Sequence, residues 1–356
     1  MSTMKQPLEF TDFYAGRCSN GTVSTQSVRC VIASIAGGLS AYVYPIVAIL
    51  SLCSYLFIIA VLLINRYHLT RQLIYLFSML MANLITQMLH GWLWLFSLKG
   101  LIYATHSRSH FSPMYLTTAW CTAFSMVYMF TMTLNCNLLA LASLDRLLSI
   151  HYPLRLARVQ LRTAWIAVSL TIVLTACYVL PLSAFIKWTT YGPALACWFP
   201  RDQIVVQTLS VLFSSSCIVQ PLLVSAMNLA FYLRLRALNH RRVNVQKNHM
   251  ERHQMRYTIG LFILSLNYIV FSMPIGVTTL ILQSMLFSGL SDLLVIVIFL
   301  DFTVIAWNLF FLRDLFDVMM MVLYIPIIQN YLLAMIPRRM RPVTRKVSQL
   351  SSTDAH

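Results

Sequence analysis

Two short clusters of charged residues could do chemistry in a chain that is otherwise strongly apolar. The first is the dipeptide Asp145-Arg146, an acid-base pair at the end of a long apolar stretch. The second comprises Arg313, Asp314 and Asp317, whose spacing lets Arg313 and Asp317 share one helix face and partly neutralise each other. Ionised groups inside hydrocarbon are costly, so they indicate a functional site by default. A solvated helix cap and a purely structural ion-pair network are the alternatives.

The composition predicts that membrane-spanning helices position these clusters. Hydrophobic residues make up 59% of the 356 residues and charged residues only 10%, whereas a soluble domain carries roughly 25% charged residues. A helix needs about 20 apolar residues to cross the hydrocarbon. Seven blocks reach that length, at residues 39–64, 73–98, 117–150, 163–186, 204–235, 256–284 and 296–323. We therefore predict an all-α membrane protein, a seven-transmembrane helix bundle.

Positive charges predict how this bundle is oriented. With the N-terminus outside, most of the 26 lysines and arginines fall on inner segments, at residues 66–71, 146–162, 234–256 and 338–346. Short loops rich in Lys and Arg stay in the cytoplasm. We expect a multi-pass protein of the plasma membrane with an extracellular N-terminus and a cytoplasmic C-terminus.

The C-terminal region has two interpretations. Hydropathy alone allows two spans, 291–312 and 315–336, but an eighth crossing would carry the arginines after residue 337 outside. We favour one span followed by an apolar helix along the inner face of the membrane. The expected organisation is an extracellular segment, a bundle, an interfacial helix and a cytoplasmic tail, at residues 1–35, 36–323, 324–337 and 338–356.

The net charge of +16 raises the possibility of nucleic-acid binding, which the sequence does not support. The cations lie on short segments between spans, without an aromatic-basic patch elsewhere. Membrane topology and attraction to anionic lipid head groups explain the charge. Membrane lipid is therefore an expected partner and nucleic acid is not.

Four cysteines fall on the expected outer side, where an oxidising environment lets them pair. Three connectivities are possible. We favour Cys121 with Cys197 and also Cys18 with Cys30. The sequence Asn20-Gly21-Thr22 is a glycosylation sequon in the same outer region, which makes Asn20 a candidate glycosylation site.

Several of these residues are spaced in a register that resembles the rhodopsin-like, class A, G-protein-coupled receptors. Cys121 precedes Arg146 by 25 residues, and Pro153 follows Arg146 by seven. Further positions in the same register are Cys197, Pro221 and Pro274. The resemblance covers nearly the whole chain and extends loosely to invertebrate peptide receptors.

The resemblance implies a role for the Asp145-Arg146 pair. In the family, the arginine is held by its neighbouring acid in the inactive state and is released toward a heterotrimeric G protein in the active state. Asp145 and Arg146 would therefore form the G-protein switch, with an extracellular ligand favouring one of two helix packings. A static interfacial ion pair is the alternative.

The chain also departs from the family pattern. Leu147 replaces the tyrosine that usually follows the arginine, and Ser272 stands at the place of the sixth-helix tryptophan. Asn83 replaces the sodium-binding aspartate of the second helix, and Asn135 stands where the third helix usually has a serine. A bound sodium ion is therefore less expected here than in typical relatives.

The seventh helix matches the family least closely. We align the segment beginning at Arg313 with the family's Asn-Pro motif, which puts Asp317 at the asparagine; Ile325-Pro326 is a rival match. The first alignment predicts a polar core inside the bundle, formed by Asn83, Asn135, Arg313, Asp314 and Asp317. This core is either a switch or a structural network that packs the helices.

The expected ligand pocket is apolar and aromatic. Tyr128 stands two turns below Cys121, where amine receptors have an aspartate, so monoamine ligands are disfavoured. The seventh span has no lysine for a retinal Schiff base, and no cofactor is expected. The candidate pocket residues are Phe124, Tyr128, Met129, Met132, Tyr268, Phe271 and Ser272. Core packing is the alternative role of such a stripe.

We predict a receptor that binds an extracellular ligand, with a peptide favoured, and activates a heterotrimeric G protein through a helix rearrangement. A chemosensory receptor for small organic ligands is the alternative within the class. A transporter or channel is the alternative from a different class, and would show internal repeats, broken helices around a midplane site or a charged pore lining. The sequence has no internal repeat, and its membrane charges concentrate in one short segment. It also lacks a spacing of histidines or acids typical of metal catalysis, so an enzyme is not expected.

Overall fold

The computed structural model confirms the predicted seven-helix bundle. It describes residues 28–64, 70–106, 111, 113–152, 154–155, 159–191, 194–199, 204–241, 249–287 and 293–335. Within these residues, seven helices are long and apolar enough to cross a membrane. The elements are α1 (Val28–Ile64), α2 (Arg71–Ala104), α3 (Thr118–His151), α4 (Leu161–Ser183), β1 (Lys187–Tyr191), β2 (Ala194–Trp198), α5 (Ile204–Arg241), α6 (His249–Phe287), α7 (Leu293–Tyr324) and α8 (Pro326–Met335).

Threonine side chains cap the start of two of the helices. The hydroxyl oxygen of Thr70 accepts a hydrogen bond from the backbone N–H of Leu73 at 3.4 Å, where α2 begins. The hydroxyl oxygen of Thr117 accepts one from the backbone N–H of Trp120 at 3.2 Å, where α3 begins. Each cap satisfies a backbone donor that the first helical turn leaves without an intrahelical partner.

The helices bury polar groups inside the bundle and leave apolar side chains on its outside. On α4, for example, Ile166, Leu170 and Leu174 are exposed, whereas Asn135 on α3 and Arg313 on α7 are buried. A soluble protein would show the opposite distribution. The exposed apolar surface therefore faces the hydrocarbon of a membrane.

The first helix begins earlier than the sequence predicts. The described part of this helix already includes Val28, within the segment that the apolar pattern assigns to the extracellular chain. Its first turns pack against α7 and the end of α2, and Gly100 makes the second contact possible because a side chain there would collide with the backbone of Ser40. Tertiary packing thus extends the helix beyond the apolar block.

The C-terminal region contains one span and a short helix, so the alternative of two spans is wrong. Helix α7 runs without a break through residues 312–315, and α8 follows it at Pro326. Helix α8 lies against α1 and α7. Ile328 is fully buried, and the ring of Tyr331 lies 6.3 Å from that of Phe57. The interfacial position of α8 remains a prediction.

A small hairpin after α4 contains the β-strands that are found among the described residues. Strands β1 and β2 are antiparallel, and Trp188 pairs with Cys197. We call the end of the bundle that carries this hairpin the disulfide end, and the opposite end, where α3 reaches Asp145 and Arg146, the arginine end. The alternating side-chain pattern is too short here to distinguish strands from loop in the sequence.

Candidate functional site

At the arginine end, the structure separates the acid from its neighbouring base. The carboxylate of Asp145 pairs with Arg71 at the start of α2, with 3.2 Å between Oδ1 and Nη1. Arg146 instead turns into the bundle, where its side chain is 0% exposed. The expectation that Asp145 holds Arg146 is therefore not met. The side chains of these two adjacent residues leave the helix in directions about 100° apart, and each finds its partners on a different side of α3.

The guanidinium of Arg146 contacts hydroxyl and carbonyl oxygens of two helices. Its Nε donates to the carbonyl oxygen of Ala142 at 3.1 Å, and its Nη2 donates to the hydroxyl of Ser143 at 3.1 Å. The same Nη2 donates to Ser265 of α6 at 3.3 Å. A neutral serine thus connects the arginine of α3 to α6. Such a contact is weaker than an ion pair and easier to break.

Deeper in the bundle, Arg313 pairs with both acids of its own helix. Its Nη2 lies 3.1 Å from Oδ1 of Asp314, and its Nε lies 3.2 Å from Oδ2 of Asp317. All three side chains are buried. The guanidinium also lies over the rings of Phe310 and Tyr268, at 4.2 Å and 5.0 Å from the ring centres. Aromatic faces stabilise a cation that has been removed from water.

Asparagines from three other helices extend this cluster. The side-chain oxygen of Asn83 accepts hydrogen bonds from Arg313 at 3.0 Å and from Asn135. Asn267 of α6 donates to Oδ1 of Asp317 at 2.7 Å. The structure therefore brings together all five residues that the sequence assigns to a polar core, and adds Asn267. We call these six residues the polar core.

Sequence reasoning missed Asn267, although a signal was available. Asn267 is a polar residue in the middle of an apolar span, one position before Tyr268, which the sequence assigns to the ligand pocket. Polar residues within a span usually face the bundle interior. Its partner Asp317 lies 50 residues away, and only the packing of α6 against α7 joins them.

Near the disulfide end, the predicted bond between Cys121 and Cys197 is confirmed. It ties the beginning of α3 to β2, with a distance of 5.7 Å between the Cα atoms. The indole of Trp188 on β1 donates to the backbone oxygen of Met114 at 3.1 Å. The hairpin is thus held against the bundle at both strands. Cys18 and Asn20 lie outside the described residues, so the Cys18–Cys30 pairing and the glycosylation remain predictions.

Removing this disulfide is expected to lower the yield and stability of the folded protein. The bond closes a loop with a sequence separation of 76 residues, which corresponds to about 4 kcal/mol in the chain-entropy model. We expect Cys121→Ala and Cys197→Ala to reduce cell-surface expression and the thermal unfolding midpoint equally, and the double variant to be no worse. Cys177→Ala is the control, because that thiol is free and exposed. Unequal effects of the single variants would contradict the pairing.

The seven residues predicted to line a ligand pocket do not all face one space. Phe124 and Tyr128 face an aromatic cluster between α2, α3 and α7. Met132, Tyr268 and Ser272 line a cavity of about 30 Å³ between α3, α5 and α6. Met129 and Phe271 point away from both of these places. Met129 packs with Val179 and Leu182 of α4, and Phe271 stacks on Phe316 with ring centres 5.4 Å apart.

Helical geometry explains why Met129 and Phe271 point in other directions than the other five residues. Positions 124, 128 and 132 are four residues apart and share one face of α3, as positions 268 and 272 do on α6. Met129 and Phe271 each lie one residue off those faces. The difference of about 100° per residue turns them toward neighbouring helices.

The centre of the aromatic cluster is His90 of α2, which sequence reasoning also missed. Its ring is 5% exposed and stacks between Trp94 and Tyr128, with ring centres at 4.4 Å and 4.2 Å. Trp307 of α7 lies 4.1 Å away. Neither ring nitrogen has a hydrogen-bond partner among the described residues. His90 lies seven residues after Asn83, and this spacing is the signal that places both on one helix face.

Metal binding is not indicated within the part of the chain that the structure describes. In that part, the histidines, cysteines and acids do not form a group of three that could hold a metal ion. The arrangement offers two kinds of chemistry. It provides a set of hydrogen bonds that joins α3, α6 and α7, and a mostly apolar cluster of aromatic side chains near the disulfide end.

Comparison with known families gives one match. The model of the seven-transmembrane receptors of the rhodopsin family matches residues 55–308, which is more than half of the chain. Cys121, Arg146 and Cys197 lie inside this range, whereas Arg313 and its two acids lie beyond it. A search of curated proteins found no match.

Proposed function

Because the chain belongs to the rhodopsin family of seven-transmembrane receptors, which signal through heterotrimeric G proteins, we propose that its extracellular ligand is a peptide. The chain is a multi-pass membrane receptor and not an enzyme. We further propose that it resides in the plasma membrane with its N-terminus outside. The distribution of positive charges supports this orientation, which puts the disulfide end toward the exterior.

The observation that carries the peptide proposal is the β1–β2 hairpin. In this two-stranded sheet each strand pairs with the other along one of its edges, and its second edge is an edge of the sheet. An extended peptide can add to the edge of a sheet through backbone hydrogen bonds, while its alternate side chains enter pockets. The bond from Cys121 to Cys197 and the contact from Trp188 to Met114 hold the hairpin rigidly on the bundle. A rigid edge lowers the entropy cost of ordering a flexible ligand.

The aromatic cluster near the hairpin suits contact with apolar and aromatic side chains of such a peptide. Tyr128, Trp94 and Trp307 surround His90 there, and Lys99 lies over the ring of Trp94 at 5.6 Å. Tyr128 takes the place where a carboxylate would hold a protonated amine. The imidazole of His90 is buried without a hydrogen-bond partner among the described residues, so a polar ligand group that reached it would satisfy it.

We propose that activation moves α6 away from α3 and α7. Two hydrogen bonds connect α6 to these helices within one helical turn, from Arg146 to Ser265 and from Asn267 to Asp317. A ligand that favours the open packing would break both and free Arg146 to meet the G protein. In the proposed orientation, helix α8 and the tail after it lie at the cytoplasmic face, and α8 contacts membrane lipid.

The proposal is tested by screening a library of secreted peptides on cells that express the receptor with a panel of G-protein biosensors. We expect at least one peptide to activate the wild type. With that peptide, Trp188→Ala should lower potency by at least about tenfold, because the hairpin loses its contact with Met114. Trp165→Ala is the matched control, since Trp165 lies on α4 at the arginine end and is exposed. A receptor that responds to small organic compounds and to no peptide would overturn the proposal.

A small organic ligand is the second candidate, and the aromatic cluster around His90 favours it. Five aromatic rings have their centres within 6.5 Å of the imidazole, those of Trp94, Phe124, Tyr128, Trp307 and Phe311. Such a site can bury most of a compact aromatic compound. The same biosensor panel with a library of small organic compounds distinguishes the two candidates. For a small ligand, Trp188→Ala should leave potency unchanged.

A further inference from the structure

The fully buried guanidinium of Arg313 is the most unusual group in the polar core. Its side chain is 1% exposed, and it belongs to α7 beyond the residues that the family model matches. The family resemblance implies a sodium ion in this region, held by an aspartate of the second helix. In this chain Asn83 stands at that position and contacts Arg313 instead.

The residues present do not fit a sodium ion. A hard cation needs several oxygen atoms that face one point as acceptors. Here the side-chain oxygen of Asn83 already accepts from Arg313 at 3.0 Å and from Asn135. Both donors point toward the place where a cation would have to approach that oxygen. The remaining cavity, lined in part by Asn83, Asn135 and Arg313, is about 10 Å³, which is enough for roughly one water molecule.

The guanidinium makes the contacts that a bound cation would otherwise make. It lies within 3.2 Å of one oxygen from each of Asn83, Asp314 and Asp317. Unlike an ion, it is attached to α7 and is directional, since its N–H groups form a fixed planar fork. Through Asn83 it connects α7 to α2, and through Asp317 and Asn267 the connection continues to α6.

We propose that Arg313 is a built-in cation of the polar core, which joins α2, α6 and α7 and makes the receptor independent of sodium. The proposal rests on family membership and on the contacts of α7, and does not depend on the nature of the ligand. Two carboxylates face one guanidinium, so the core carries one excess negative charge when both are ionised. A sodium ion is therefore the natural competitor for this site, and its binding can be measured directly.

The test compares the thermal unfolding of the purified full-length receptor in sodium chloride and in choline chloride at equal ionic strength. An ion that binds only the folded state raises the unfolding midpoint as its concentration rises. We expect the wild type to unfold at the same midpoint, within about 1 °C, in both salts. A midpoint that rises by several degrees with sodium would overturn the proposal.

Removing the guanidinium should create the sodium dependence that the wild type lacks. In Arg313→Gln the two carboxylates remain without their cation, and we expect sodium to raise the unfolding midpoint by several degrees over choline. Arg162→Gln is the matched control, because Arg162 is an exposed arginine at the start of α4. It should behave as the wild type does in both salts.

A second variant covers the case in which Arg313→Gln does not fold. The double variant Arg313→Gln, Asp314→Asn lacks both the guanidinium and one carboxylate. Asp317 is then the one charged residue among the six of the polar core. This variant should also gain sodium dependence. If the folded variants are as insensitive to sodium as the wild type, Arg313 does not occupy a cation site and the proposal fails. The measured quantity is the unfolding midpoint, which does not depend on the ligand. The result would therefore stand even if the peptide proposal failed.

Discussion

Replacing Arg146 by alanine is expected to abolish G-protein activation while the receptor still reaches the cell surface. The arginine can reach the G protein only after its guanidinium leaves Ser143 and Ser265. Hydrogen bonds to a charged group contribute about 1.5 to 3 kcal/mol each, so loss of the contacts made in the active state should reduce signalling by at least about tenfold. Folding should survive because Asp145 keeps its partner Arg71.

A panel of G-protein biosensors, normalised to surface expression, measures this effect. Ser265→Ala is the companion variant, since it removes a contact of Arg146 with α6 and should raise basal signalling several-fold. Ser284→Ala is its control, because that hydroxyl is exposed and bonds within α6. Signalling by Arg146→Ala at the wild-type level, at equal surface expression, would refute the switch role. Arg146→Ala combined with Ser265→Ala should be as silent as Arg146→Ala alone.

Replacing Arg313 by alanine is expected to destabilise the receptor by about 3 to 5 kcal/mol, because Asp314 and Asp317 would be buried without a compensating charge. The triple variant Arg313→Met, Asp314→Asn, Asp317→Asn should recover most of this loss. Replacing a whole buried ion network by neutral groups is often close to neutral, whereas removing one partner is costly. The measurement is the unfolding midpoint of the purified receptor in detergent.

Arg162→Ala serves as the control for this series. Its side chain is exposed, and surface substitutions usually change stability by less than about 0.5 kcal/mol. The reasoning is wrong if the triple variant is no more stable than Arg313→Ala. In that case the guanidinium would stabilise the bundle by packing against Phe310 and Tyr268, and charge balance would be secondary.

The helices and the Cys121–Cys197 bond were within reach of sequence reasoning. Spans are predictable because a helix must present about 20 apolar residues to cross hydrocarbon, and this signal is local. The positions of the cysteines relative to the spans left three connectivities, and the favoured pairing of Cys121 with Cys197 is the one that the structure contains. Helix α1 shows the limit of this approach, because its turns from Val28 onward precede the apolar block and pack against α7.

Side-chain direction and long-range pairing were beyond such reasoning. The partner of Asp145 is Arg71 on a different helix, and nothing near Asp145 in the sequence marks that arginine. His90 became visible only when α2, α3 and α7 surrounded it with aromatic rings. Two residues of the predicted pocket, Met129 and Phe271, point toward other neighbours than the rest, because one residue along a helix turns a side chain by about 100°.

By itself, the sequence determined that the chain crosses a membrane seven times, and it marked Asp145, Arg146, Arg313, Asp314 and Asp317 as charges that need partners. The free energy of inserting apolar residues into hydrocarbon, and the cost of inserting charged ones, depend on each segment separately. Both can therefore be inferred from composition and spacing. The tertiary structure decided which partners those charges have. Ion pairs between helices depend on how the helices pack and rotate, and that is a property of the whole bundle.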